Sequence, residues 1–204
     1  MAATTGRAHV TLPLIVGISG ATGVVYGIDL LRVLKQQGQP THLSLSEMAA
    51  RTIAIETDFS LEEVRSLADV VHSNRNLAAP VSSGSFRTRG MVVVPCSVKT
   101  LSGIANGFSS NLLIRAADVT LKERRPLVVV FRETPLHTGH LRLMLRAAEI
   151  GTVIMPPMPA FYHRPKSVDE IVRQTVGRVL DQIGIEQHLS ERWSGGDRQR
   201  CQLN

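Results

Sequence analysis

Short, nearly continuous runs of Val, Ile and Leu alternate with helix-period segments along this 204-residue chain, and few folds accept that pattern. Strands that are apolar on both sides need cover on both faces, and parallel sheets obtain it from their crossover helices. Five such strands are expected: Leu12 to Ile18, Thr41 to Leu45, Met91 to Val94, Leu127 to Phe131 and Thr152 to Met155. Helical spacing fills the intervals at Val24 to Gln37, Ser46 to Glu56, Asn111 to Arg124, His140 to Ile150 and Ser167 to Ile183. Ser60-Leu-Glu-Glu63 reads as a capping box, and Pro95 to Thr100 opens a further helix. Residues 72–90, rich in Ser, Asn, Gly and Arg, read as a long loop. The expected fold is α/β, a doubly wound parallel sheet in one domain over residues 11–190. Residues 1–10 are expected to be disordered, and 191–204 to be a loose polar tail apart from Trp193.

Aromatic residues make up only 4% of the chain, so aliphatic packing must carry the core. The net charge of +6, from 23 basic and 17 acidic residues, suits phosphate ligands. No stretch combines dense Lys and Arg with interleaved aromatics, which argues against nucleic acid. Cys96 and Cys201 are too few and too distant for a disulfide framework or a zinc site, and they fit a reducing cytosol. The first residues hold no apolar signal core, and no apolar run reaches membrane-span length. A cytoplasmic protein without metal, membrane or nucleic-acid partner is expected.

Candidate chemistry collects where strands end, because ligands of open parallel sheets bind beyond the carboxyl ends of the strands. Gly17-Ile-Ser-Gly-Ala-Thr-Gly23 follows the first strand. Its glycines and the next helix N-terminus suit a phosphate or flavin, with Ser19 and Thr22 as hydroxyl donors; a tight structural turn is the plainer reading. The spacing is not the dinucleotide fingerprint, and Ser46 stands where an acidic residue would end the second strand of an NAD protein. Pro95-Cys-Ser-Val-Lys-Thr100 repeats the logic with Ser97 and Thr100, while Cys96 reads as a small buried residue. Ser82-Ser-Gly-Ser85 is a third hydroxyl cluster. Arg115 and Lys122 lie two helical turns apart on one face, as a pair of surface cations or as anion ligands. Arg132-Glu133 ends a strand, where a guanidinium and a carboxylate side by side can hold an anion and move a proton, or merely pair with each other. Glu56 sits on an otherwise apolar helix face and needs a partner or a role. Tyr162, in the stiff loop Pro156 to His163, can close a pocket, and Arg178 lies among apolar residues of the last helix and is expected to point inward. His137, His140 and His163 lack metal-ligand spacing.

Taken in order, GISGATG, IET, PCSVKT, NLLIRAADVTLKERRPLVVVFRETPL, PPMPAFY and GRVLDQIGI resemble the UbiX-type flavin prenyltransferases, in the branch associated with phenolic-acid decarboxylases. The resemblance runs from about Leu12 to Trp193. It implies a Rossmann-like or flavodoxin-like subunit of a homododecamer that binds FMN across subunit interfaces. It implies metal-independent transfer of a prenyl group from dimethylallyl monophosphate to N5 and C6 of reduced FMN, and delivery of the prenylated FMN to a UbiD-type decarboxylase. By motif, FMN contacts fall on Ser19, Gly20, Ala21, Ser46, Ser97, Val98, Lys99, Thr100 and Arg115. The prenyl phosphate falls to Lys122, Arg132, Tyr162 and Arg178. Glu56 and Glu133 match the catalytic carboxylates, with Thr22 beside them; on this reading Arg124 and Arg125 become surface or interface cations.

Three positions depart from the pattern: Glu47 stands where many relatives have lysine, Phe131 where the family usually has proline, and His137-Thr-Gly-His140 replaces the usual segment after the RETP motif. Two other readings remain at this stage. One is an FMN-dependent decarboxylase of the cysteine-decarboxylase group, for which Val98-Lys99 is the wrong turn and His42 a poor catalytic base. The other is a non-catalytic flavin carrier.

Overall fold

The computed structural model describes residues 11–189, so the expected disordered N-terminus, Trp193, Cys201 and the tail lie outside the described residues. Its elements are β1 (Leu14–Ile18), α1 (Val24–Gln36), β2 (Thr41–Leu45), α2 (Glu47–Glu56), α3 (Leu61–Ser66), β3 (Val70–Ser73), β4 (Gly90–Cys96), α4 (Val98–Ala105), α5 (Leu112–Lys122), β5 (Leu127–Phe131), α6 (Thr138–Glu149), β6 (Thr152–Ile154) and α7 (Val168–Gln182). The six strands form one parallel sheet in the order β3-β2-β1-β4-β5-β6. That is the Rossmann order, with its topological switch between β1 and β4. The sixth strand, β3, lies within the segment expected to be loop. It has four residues at the sheet edge and is largely exposed, so it lacks the apolar run that marks the other strands. The same segment also holds a 3-10 turn at Pro80–Ser82.

Alternation along each strand divides the core. Leu14, Val16, Ile18, Val92, Val94, Val128 and Val130 meet α1, α2, α3 and α7 on one face. Ile15, Met91, Val93, Leu127, Val129 and Phe131 meet α4, α5 and α6 on the other. Each of these strand residues is nearly or wholly removed from water. Their burial supplies the main stabilisation, about 1.5–3 kcal/mol for each large aliphatic side chain. Most helices begin on polar caps: the side chains of Ser46, Ser60, Ser97, Asn111 and Ser167 each accept from a backbone N–H of their own first turn.

The tightest helix–sheet approach lies next to the functional edge. A Cβ at Gly27 would stand 2.5 Å from the Val94 carbonyl oxygen and 2.9 Å from Ile18 Cδ1. Only a residue without a side chain lets α1 lie this close to β1 and β4. Gly27→Ala gains about 1 kcal/mol of helix propensity, but driving a methyl into a backbone carbonyl costs about 1–3 kcal/mol. The expected result is a net destabilisation, with Tm lowered by about 2–4 °C in thermal unfolding. An unchanged or raised Tm would contradict this packing.

Candidate active site

The carboxyl ends of β1 and β4 are joined through one buried hydroxyl. Ser19 Oγ donates to the Pro95 carbonyl (3.0 Å) and accepts from the Ser97 N–H (2.8 Å), while the Ser19 N–H donates to the same carbonyl (3.2 Å). Ser19 is 1% exposed, so the hydroxyl expected to face a ligand is instead the tie between two loops. The next residue, Gly20, approaches Met48 so closely that a Cβ there would collide with the Met48 side chain. The glycine turn is thus pressed against the start of α2.

The N-terminus of α1 is already neutralised. The N–H groups of Gly23 (2.8 Å) and Val24 (3.2 Å) both donate to Glu56 Oε2, from the end of α2. The sequence suggested these groups as phosphate donors; in the fold a carboxylate occupies them. The same contact supplies the partner that Glu56 needed. Its other oxygen, Oε1, has no partner among the described residues.

The free helix ends lie beside it. A cavity of about 620 Å³ is lined by Gly20, Ser46, Glu47, Met48, Asn74, Arg75, Ser97, Lys99, Thr100, Ser110, Asn111 and Ile114. Its size is ordinary for a small-molecule or nucleotide cofactor site. Ser46, Ser97 and Asn111 are the N-caps of α2, α4 and α5, so three helix N-termini converge on one space. All three dipoles favour an anion there; α2 and α4 keep first-turn N–H groups to bind it, while those of α5 are taken by Asn74 and Asn111. Five residues expected to contact FMN (Gly20, Ser46, Ser97, Lys99 and Thr100) line this cavity together, and Val98 opens the same helix turn. A phosphate-bearing flavin fits the charge, size and donors of the site.

Sequence reasoning missed the residue that organises its far wall. Asn74 Oδ1 accepts from the Leu113 N–H (2.9 Å) and from Ser44 Oγ (3.2 Å), and the Asn74 carbonyl accepts from the Leu112 N–H (2.8 Å). It therefore couples the end of β3 to the start of α5. Arg75 follows it into the cavity wall. Neither belongs to a recognisable motif; the signal was the unread strand before them.

The remaining candidates divide between the two ends of the molecule. Arg132 and Glu133 follow β5 at the carboxyl edge, where the Arg132 N–H donates to the Cys96 carbonyl (3.0 Å). Arg132 lies near Tyr26: burial pushes the Tyr26 phenol up, against the opposing pull of the Arg132 charge and a hydrogen bond to Thr175. Thr22 is exposed in the glycine turn, Ala21 closes a tight turn onto the Ser19 carbonyl (2.9 Å), and Tyr162 is exposed in the loop after β6. Arg115, in the first turn of α5, donates to the Ser82 carbonyl (3.3 Å) and pairs with Asp118 (2.7 Å). Lys122 ends α5 about 10 Å further along the helix, near the amino ends of the strands, paired with Glu123 (2.5 Å). One chain alone does not bring Lys122 to Arg132.

Two arginines differ from expectation. Arg178 does not point inward; it is exposed on α7 and pairs with Asp181 (3.0 Å). Arg125 is not a free surface cation. Its guanidinium is mostly buried and donates to the Gly84 carbonyl (2.7 Å), the Phe86 carbonyl (2.8 Å) and Thr88 Oγ1 (3.3 Å), fixing the hydroxyl-rich loop against α5. Cys96 is fully buried, and burial pushes its thiol far up, which removes it as a nucleophile. His42 sits half-buried on β2 with Nδ1 2.9 Å from His72 Nε2, one residue from the strand's start and away from the cavity. Among the described residues no cluster of His, Cys, Asp and Glu is arranged to hold a metal ion.

The Flavoprotein family model matches residues 3–180. The flavin prenyltransferase UbiX of Escherichia coli is 62% identical over 185 residues, covering 89% of this chain and 98% of that protein. AnUbiX, solved with FMN and dimethylallyl pyrophosphate, superimposes with a TM-score of 0.90 at 49% identity, over 91% of this chain and 99% of that one. A dodecameric FMN-dependent UbiX-like decarboxylase from Escherichia coli gives a TM-score of 0.88 at 51% identity, over 90% and 100%. Sequence and fold agree across nearly the whole length, and the chain belongs to the UbiX family of flavin prenyltransferases.

Proposed function

We propose that this protein joins the dimethylallyl group of dimethylallyl monophosphate to N5 and C6 of reduced FMN, and passes the prenylated flavin to a UbiD-type decarboxylase. The observation that carries the reading is the shared cavity at the N-caps of α2, α4 and α5, with Arg132 and Glu133 on the same sheet edge. Reduced FMN supplies the nucleophilic ring positions when bound. Every other task falls to side chains of the protein.

Gly20, Ser46, Ser97, Val98, Lys99 and Thr100 hold the flavin nucleotide, with Ser19 and Ala21 shaping the turn beside it and Arg115 binding from α5. Arg132, Tyr162, Arg178 and Lys122 grip the prenyl phosphate. Cations and a phenol placed on a leaving phosphate stabilise the charge that builds on it, without a metal. Glu133 gives that phosphate a proton. Glu56, fixed through Oε2 by two backbone N–H groups and open at Oε1, accepts the C6 proton released when the new ring closes, as the prenyl double bond is consumed and takes up a proton at its other carbon, with Thr22 at Glu56's side. Lys122 reaches the site from another copy of the chain, because α5 carries it to the opposite edge of its own subunit. A homododecamer, as in the dodecameric relative, supplies that copy.

The cysteine-decarboxylase reading lacks its histidine: none among the described residues lines the cavity, and His42 on β2 is engaged with His72. A carrier without chemistry leaves Glu133 and the cations around it without a task.

Anaerobic incubation with reduced FMN and dimethylallyl monophosphate is expected to raise the flavin mass by one prenyl unit and to yield a product that activates an apo UbiD-type enzyme. Unchanged FMN would refute the assignment. Glu133→Gln is expected to keep FMN binding and lower turnover by about 100-fold or more, the usual worth of a general acid. Normal turnover in that variant would remove Glu133 as the acid.

A further inference from the structure

One ion pair at the mouth of the cavity is unused by the reaction. Arg75, in the loop after β3, pairs with Glu47, the first residue of α2. Both line the 620 Å³ cavity, and both also line an adjoining hollow of about 330 Å³ that ends in Leu61, Arg65 and Val71. A carboxylate at the lip of a site built for an anion is unfavourable unless a cation compensates it. Here the compensating cation is a guanidinium, the side chain best matched to a phosphate.

We infer that Arg75 is a phosphate ligand of the flavin nucleotide, and that Glu47 is a competing anion that holds Arg75 at the mouth until the phosphate displaces it. The inference rests on the flavin reading of the cavity. The exchange is easy in this direction. The Arg75 and Glu47 side chains are 84% and 72% exposed, and an exposed ion pair is worth little. A phosphate at the N-termini of α2 and α4 carries more charge than Glu47 and sits deeper, where water screens it less. When Arg75 turns inward, Glu47 is left in solvent at small cost. Glu47 therefore tunes affinity through Arg75: it weakens FMN binding without touching the flavin.

Titration of protein with FMN and with riboflavin, followed by flavin fluorescence, isolates the phosphate. Arg75→Gln is expected to weaken FMN by about tenfold, the worth of a charge-assisted hydrogen bond, and to leave riboflavin unchanged. Glu47→Gln is expected to tighten FMN by about threefold to tenfold, and this gain should vanish in the Arg75→Gln background. An equal gain in both backgrounds would mean simple repulsion and would overturn the exchange. FMN binding that ignores Arg75→Gln would overturn the inference while leaving the cavity assignment standing. Wild-type protein that binds neither flavin would overturn both. Both side chains are exposed, so circular dichroism of the variants should match wild type.

Discussion

The site depends on the hydroxyl of Ser19. At the switch point of the sheet, where β1 and β4 lie side by side, this buried group donates to one loop and accepts from it again two residues later. The bond pair fixes the start of α4 relative to the glycine turn. Gly20 then sets the turn against Met48, and so against the start of α2. Asn74 adds α5 by accepting from two of its first N–H groups and from Ser44 of β2. A cavity wall assembled from four separate segments is thus held by a few short hydrogen bonds whose donors and acceptors are satisfied inside the protein, where leaving them unmade would be costly.

Charge is distributed over the same edge with equal economy. The helices α1, α2, α4 and α5 all begin there, and their N-termini are not equivalent. Glu56 occupies that of α1 and Asn74 takes the first N–H groups of α5, which leaves α2 and α4 as the electropositive ends facing the cavity. The carboxylate serves two ends at once: it neutralises a helix dipole, and it is held in a single orientation beside the glycine turn. A carboxylate fixed in this way is held in place without needing to reorganise. Lys122 shows the opposite arrangement: at the far end of α5 it pairs with Glu123, away from the carboxyl edge.

The fold was largely legible because both faces of its central strands are buried, which produces unbroken Val and Ile runs at β1, β4 and β5. The exception, β3, is an edge strand whose exposed residues carry no such signal. Strand-end motifs likewise announced Gly20, Ser97, Lys99 and Thr100. Hydrogen-bond partners were not legible, since they depend on distances between segments far apart in sequence. Ser19 therefore looked like a ligand donor rather than a tie, and the partner that Glu56 needed could not be named. Apolar neighbours at Arg178 suggested an inward side chain, yet helical spacing sets it on the outer face of α7. Arg125 was discounted as one more cation in a basic run, although its three acceptors lie in a loop some forty residues earlier.

The central claim is that the flavin phosphate lies at the N-termini of α2 and α4, because Glu56 has closed that of α1. A crystal structure of this protein with FMN tests it directly. The account predicts the phosphate against Ser46, Ser97 and Thr100, with Glu56 still bonded to the Gly23 and Val24 amides. A phosphate seated on those two amides, with Glu56 displaced, would contradict it.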